Sequence, residues 1–105
     1  MSVLGIDIGN DNSVVAAINK GAINIARNDV SERLTPTMVA FTEKERLIGD
    51  NALAKVKSNF RNTCRNIKNL IGKLAEQADE DDIEVSESFG NLVPCEHNYL
   101  GYQVE

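Results

Sequence analysis

The sequence predicts an α/β chain built from antiparallel and mixed sheet hairpins with a few helices. Three observations carry this: short alternating or β-branched apolar runs before Ala26, turn clusters that punctuate them, and helical apolar spacing between Asn51 and Gly72. With 105 residues the chain has room for one small core. Its 42% hydrophobic and 26% charged residues favour a folded, soluble class over disorder or collagen-like repetition.

From Val3 to Ile8, Leu4, Ile6 and Ile8 share one face, and Val3, Gly5 and Asp7 the other, which predicts a buried central strand. Gly9, Asn10, Asp11 and Asn12 form a turn cluster before the Val- and Ile-rich run Ser13 to Ile18, so the two strands read as a β-hairpin. A second turn over Asn19, Lys20 and Gly21 leads to Ile23 and Ile25 in a third strand, giving an antiparallel meander. Asn28 to Pro36 is a connector in which Thr35 is extended ahead of Pro36. Met38 to Phe41 and Arg46 to Ile48 are short strands around a polar turn.

A helix is expected over Asn51 to Lys57, with Asp50 as its N-cap and Ala52, Leu53, Val56 and Phe60 recurring at helical spacing. A second helix should run from Asn62 or Thr63 to Gly72, with Cys64, Ile67, Ile71 and Leu74 as its apolar stripe and Arg61, Arg65 and Lys68 on another side. Leu74 to Asp79 can add a short helix before the solvated acidic block Asp79 to Asp82. Val85, Leu92, Val93 and Tyr102 to Val104 give weak strand signals, broken by Gly90, Pro94 and Gly101. Leu100 to Glu105 reads as a terminal strand with no partner after it, which suggests a truncated chain.

The formal net charge of −5 conceals a division. All 11 Lys and Arg residues lie at or before Lys73, whereas from Leu74 onward there are nine acids and no Lys or Arg. An anionic ligand would be drawn to the first two-thirds, with salt confining the effect to about 8 Å. Basic residues are not interleaved with aromatics, so nucleic-acid binding is not expected. No apolar run approaches the roughly 20 residues of a membrane span, and Asp7 interrupts any signal-peptide core, so the expectation is a cytoplasmic chain without a membrane partner. Cys64 and Cys95 lack a paired spacing and read as reduced thiols, and Cys95 with His97 is too small a set for zinc.

The candidate site begins at Asp7 and Gly9. Gly9 permits a tight turn, and the N–H groups from Asn10 to Ser13 can converge on phosphate oxygens, with Asp7 holding Mg2+ through water. An ordinary hairpin with Asp7 capping a turn is the alternative. Lys68 is a suitable point charge for a phosphate during transfer, or else one cation of a solvated basic stripe.

Several segments, taken in order, resemble the start of the nucleotide-binding domain of the seventy-kilodalton heat-shock chaperone superfamily. They are Leu4-Gly5-Ile6-Asp7-Ile8-Gly9-Asn10-Asp11-Asn12-Ser13, Asn28 to Thr37, Val39-Ala40-Phe41, Glu45 to Asp50, and Asn62-Thr63 with Ile67-Lys68-Asn69-Leu70-Ile71-Gly72. The similarity covers nearly all of Val3 to Gly72. It implies part of an actin-like ATPase fold, with residues 1–38 forming the phosphate-hairpin part of one lobe and 39–105 most of an adjoining, truncated subdomain. It also implies ATP or ADP with Mg2+ as ligands. Gly9, Asn10, Asp11 and Asn12 would then contact phosphate, Asp7 would hold Mg2+ through water, and Lys68 would be catalytic.

Foldase chaperones of that superfamily carry two threonines where this chain has Asn10 and Asp11, and arginine where it has Asn69. These departures are similar to the hundred-and-ten-kilodalton branch, whose members bind ATP, exchange nucleotide on smaller relatives and hold unfolded chains. The resemblance therefore implies a parent that partners a smaller heat-shock chaperone and binds unfolded clients through domains outside this chain, with slow ATP turnover at most. An ATP-hydrolysing foldase is the alternative. A sugar kinase or another actin-like ATPase fits less well, because Arg33 to Pro36 and Arg46 to Asp50 point away from both. The chain alone is expected to bind ATP weakly and not to turn it over, and to self-associate.

Overall fold

The computed structural model describes residues 3–78 and 92–105. The expectations for Asp79 to Asp82, Val85 and Gly90 lie outside the described residues. Strands β1 (Leu4–Ile8), β2 (Asn12–Asn19) and β3 (Ala22–Ile25) form the expected meander in the order β1-β2-β3. Leu4 pairs with Ala17 and Ile8 with Ser13, so the four residues Gly9 to Asn12 connect the paired ends. Lys20 (φ 51°) and Gly21 (φ 75°) make the second turn with two left-handed residues, as a tight hairpin of this hand requires. A two-residue strand, β4 (Thr35–Pro36), pairs with the start of β2, Asn12 opposite Pro36 and Ser13 opposite Thr35. The connector thus carries a strand of its own.

β1 is not the buried central strand its composition predicts. All five of its residues are exposed, with Leu4, Ile6 and Ile8 at 64%, 63% and 59%. Apolar content on both faces signals that a strand needs cover, but pairing along one edge supplies none to the faces.

The second sheet has the order β6-β5-β7, with β5 (Met38–Phe41) central, β6 (Arg46–Ile48) on one side and β7 (Thr63–Arg65) on the other. Helix α1 (Asp50–Asn59) packs across it, and Met38, Ala40 and Ala52 are buried together with Leu47 against them. Burying a side chain such as Met38 contributes about 2 kcal/mol.

Asp50 is not the N-cap of α1. That position falls to Gly49, at φ 64°, with no side-chain cap. Gly49 N–H donates to Met38 O at 3.0 Å, and a Cβ on Gly49 would stand 2.5 Å from Thr35 Cγ2, so this junction requires glycine. The Asp50 carboxylate instead accepts from Asn28 Nδ2 at 2.8 Å, because the connector runs past the start of the helix.

The single second helix is also corrected. Phe60–Asn62 is a 3-10 turn, Thr63–Arg65 is β7, and α2 spans only Ile67–Leu70. Cys64 faces Val39 in the sheet, and Thr63 and Cys64 are buried there, so ladder pairing prevails over helical spacing for two residues that favour strands anyway. Buried Asn66, at φ 59°, then turns the chain into α2. Arg61, Arg65 and Lys68 consequently lie on three different elements, not along one helix face. Gly72 (φ 76°) follows the helix as expected of a C-terminal glycine.

A 3-10 turn at Ala75–Gln77 takes the place of the optional short helix, with Leu74 N–H donating to Gln77 Oε1 at 3.0 Å. Strands β8 (Leu92–Pro94) and β9 (Leu100–Tyr102) pair, Val93 opposite Gly101. The terminal strand therefore has a partner, on its upstream side, and Gly101 lies within it instead of breaking it. Cys95 Sγ occupies the space where a Cβ on Gly101 would stand, which makes the glycine useful there. Leu100 N–H donates to Lys73 O at 2.8 Å, Tyr102 Oη donates to Arg65 O, and Glu105 N–H donates to Asn62 Oδ1 at 2.7 Å. These bonds fold the C-terminal hairpin back onto the β7 and α2 region. Among the described residues no helix is long and apolar enough to cross a membrane.

Candidate functional site

The β1–β2 turn places Asp7 near the end of β1 and Gly9, Asn10 and Asp11 in the loop, while Asn12 already belongs to β2. Gly9 N–H donates to Asn12 O at 3.0 Å, and a Cβ on Gly9 would lie 2.5 Å from that oxygen. Glycine is required here by close approach of the backbone. The same bond removes the Gly9 N–H from any role toward a ligand. Asn10 and Asp11 N–H groups have no acceptor among the described residues, and both residues are exposed. The loop therefore offers two adjacent outward donors on a tight, closed turn, which suits an anion at its tip.

Asp7 pairs with Val14 in the ladder and is exposed, so its carboxylate stays in contact with solvent. Its side chain makes no hydrogen bond or ion pair among the described residues, and so stays available to a hydrated cation. Asp11 adds a second exposed carboxylate in the same turn.

Lys68 lies on α2, exposed, with no ion pair among the described residues. Its neighbour Ile67 is 37% exposed and lines an apolar groove of about 490 Å3 with Val39, Phe41, Cys64, Leu70 and Tyr102. Burial pushes the Cys64 thiol above its ordinary value. Among the described residues, no hydrogen bond or ion pair joins Lys68 to any of the five hairpin residues.

The link between them runs through two consecutive residues. Thr37 N–H donates to Asp11 O at 2.8 Å, and Met38 pairs with Arg65, three residues before Lys68. Thr37 also shares a 2.7 Å hydroxyl–hydroxyl hydrogen bond with Ser13. Sequence patterns do not single out Ser13 and Thr37 as positioning residues. The available signal is a hydroxyl just after the loop and another just after Pro36, but their meeting depends on β4 pairing with β2.

Asn28 is a second residue whose role sequence patterns do not reveal. Its Oδ1 accepts from Val30 N–H and Glu32 N–H, both at 3.0 Å, and its Nδ2 donates to Thr35 Oγ1 at 3.0 Å and to Asp50. This is the local backbone-mimicking pattern expected of Asn in turns, extended to the helix start.

Antiparallel sheets with few helices are consistent with part of an actin-like ATPase fold. A family model described as Hsp70 protein matches residues 3–93, and the chain belongs to that family. It is 38% identical over 102 residues to Heat shock protein 88 of Dictyostelium discoideum, a match that covers 97% of this chain and 13% of the relative. It is 40% identical over 102 residues to a heat shock protein homolog of Candida glabrata, covering 95% of this chain and 14% of the relative. Against a heat shock protein homolog of Saccharomyces cerevisiae the identity is 44% over 68 residues, or 65% of this chain and 10% of the relative. The chain spans about one-seventh of the length of such relatives. These similarities agree with the resemblance to the hundred-and-ten-kilodalton branch read at Asn10, Asp11 and Asn69.

Proposed function

We propose that this chain supplies the first phosphate-contacting hairpin and the Lys68 segment of an ATP-binding heat-shock chaperone. In this reading the parent acts in the cytoplasm as a nucleotide exchange factor and holdase for smaller heat-shock relatives. One observation carries it: an Hsp70-family chain whose first turn, closed by Gly9 N–H on Asn12 O, directs the exposed Asn10 and Asp11 outward in place of two short hydroxyl side chains.

Asn10 and Asp11 N–H groups would hold phosphate oxygens, and Asp7 would hold hydrated Mg2+, which supplies charge neutralisation when bound. The Asp11 carboxylate opposes a phosphate charge by about 1 kcal/mol at 4 Å in water, and by several times that where solvent is partly excluded. Loss of a hydroxyl able to orient water raises the barrier to hydrolysis, whereas the backbone donors continue to serve the ground state. Binding is therefore favoured over turnover. Lys68 offers a cation to the transferring group without the adjacent arginine that foldases carry, since Asn69 stands there.

The test is a chimera in which this chain replaces the matching segment of the Saccharomyces cerevisiae relative. It should bind Mg-ATP and hydrolyse it slowly, and Asn10→Thr with Asp11→Thr should raise single-turnover hydrolysis more than affinity. A chimera as fast as a foldase assayed beside it, or a double change that alters affinity alone, returns the lead to the foldase reading.

A further inference from the structure

We infer that the Ser13–Thr37 hydroxyl pair is a positioning device that holds the β1–β2 loop in its anion-facing form, with Thr37 the decisive member. This inference rests on the nucleotide reading above. Four constraints converge within a few residues. Gly9 N–H closes the turn on Asn12 O at 3.0 Å, and Thr37 N–H grips Asp11 O at 2.8 Å. The β4 pairing sets Asn12 opposite Pro36 and Ser13 opposite Thr35, and the two hydroxyls meet at 2.7 Å.

The β2–β4 ladder is only two residues long, and one of its members is Pro36, which has no N–H to give. Backbone pairing alone is therefore weak at the point where the loop must be held. The half-buried hydroxyl pair supplies a directional bond where solvent competes less than at the loop tip.

The geometry also gives the pair a role beyond local stability. Thr37 engages the loop through its backbone and its side chain, on Asp11 O and on Ser13 Oγ, so it grips both sides of Asn12. Its successor Met38 is the first residue of the central strand β5 and pairs with Arg65, just before the α2 segment that carries Lys68. A shift of Thr37 would thus move the two donors at Asn10 and Asp11 relative to the lysine. Thr37 touches no reacting atom; it acts through the loop.

The experiment uses the isotope-labelled 105-residue chain, with Thr37→Val to remove the hydroxyl in a β-branched isostere and Thr37→Ser to retain it. Two signals are read: hydrogen exchange of the Gly9 amide without ligand, and Mg-ATP-induced amide shifts at Gly9 to Asn12, with Mg2+ alone as control. Thr37→Val should speed Gly9 exchange about fivefold, the equivalent of one net hydrogen bond, and reduce the Mg-ATP response. Thr37→Ser should restore both, and exchange in β5 and β6 should not change in either variant.

Unchanged Gly9 exchange and an unchanged nucleotide response in Thr37→Val would overturn the positioning role while leaving the nucleotide reading intact. So would faster exchange spread through β5, or a serine variant no better than valine. No Mg-ATP response in the wild-type loop, above that of Mg2+ alone, would overturn the nucleotide reading and the positioning role with it.

Discussion

Asn28 Nδ2 donates to Asp50 Oδ2 at 2.8 Å across 22 residues of sequence, tying the connector after β3 to the first turn of α1. Beside it, Asn51 Nδ2 donates to Asp29 Oδ2 at 3.0 Å, so consecutive residues of the loop meet consecutive residues of the helix. The loop that carries β4 to the candidate site is thereby anchored at its far end.

Removing that anchor should be costly. Asn28→Ala deletes the bond to Asp50, the bond to Thr35 and the acceptor for two backbone N–H groups. A loss of about 2 kcal/mol is expected by urea denaturation. In a cycle with Asp50→Ala the coupling between the two residues should exceed about 0.5 kcal/mol. Additive single effects would show that the 2.8 Å contact carries no energy of its own.

Gly9→Ala places a methyl group where Asn12 O stands 2.5 Å away, and backbone cannot yield as a flexible side chain would. The turn must open, so amide shifts should move from Ile8 to Ser13 and stability should fall by about 1–2 kcal/mol. Gly5→Ala is the control, since nothing lies within 4 Å of the added carbon.

The two cysteines should differ in reactivity, and Cys64 should contribute to the pH dependence of stability. Cys95 is exposed and should react with a thiol reagent at once, whereas Cys64, 8% exposed, should react only as the chain opens. Burial holds the Cys64 proton above the ordinary value of 9.0, so on raising the pH the unfolded chain releases it first. Stability is fully present below that value and declines as pH climbs from about 9 through the folded value. Denaturation between about pH 8 and 10 should show a shallower decline in Cys64→Ala than in wild type.

Self-association should follow from the uncovered first sheet. Ile6 and Ile23 are 63% and 75% exposed, and β1 has one pairing edge unfilled among the described residues. Sedimentation at increasing concentration should show species above the monomer, reduced by Ile6→Lys with Ile23→Lys. A monomer at high concentration, unchanged by those substitutions, would show that the exposed apolar residues do not pair.

Tyr102→Phe removes the donor that ties β9 to Arg65 O. Exchange at Leu92 to Tyr102 should quicken, with a stability loss of about 1 kcal/mol, while β1 and β2 stay unaffected. Equal loosening of both sheets would mean that the C-terminal hairpin supports the whole fold.

The sequence by itself determined the local elements whose signals are local. Val and Ile alternation with Gly and Asn turns specified the three-stranded meander, and Gly9 and Asp7 marked the hairpin that bears the candidate site. It also contained the family, in motifs spread from Leu4 to Gly72. Tertiary structure alone decided what depends on a distant partner. Thr63 to Arg65 were expected in a helix, with Cys64 on its apolar stripe, but became a strand, because Met38, Val39 and Ala40 offered it a ladder and buried Thr63 and Cys64. Asp50 looked like a cap, yet Asn28 reached its carboxylate first, and Gly49 made the turn. The Ser13–Thr37 bond joins residues 24 apart, and no pattern within either segment encodes it. Periodicity reports which face of a segment is apolar; only the folded chain supplies the neighbour that covers it or completes its hydrogen bonds.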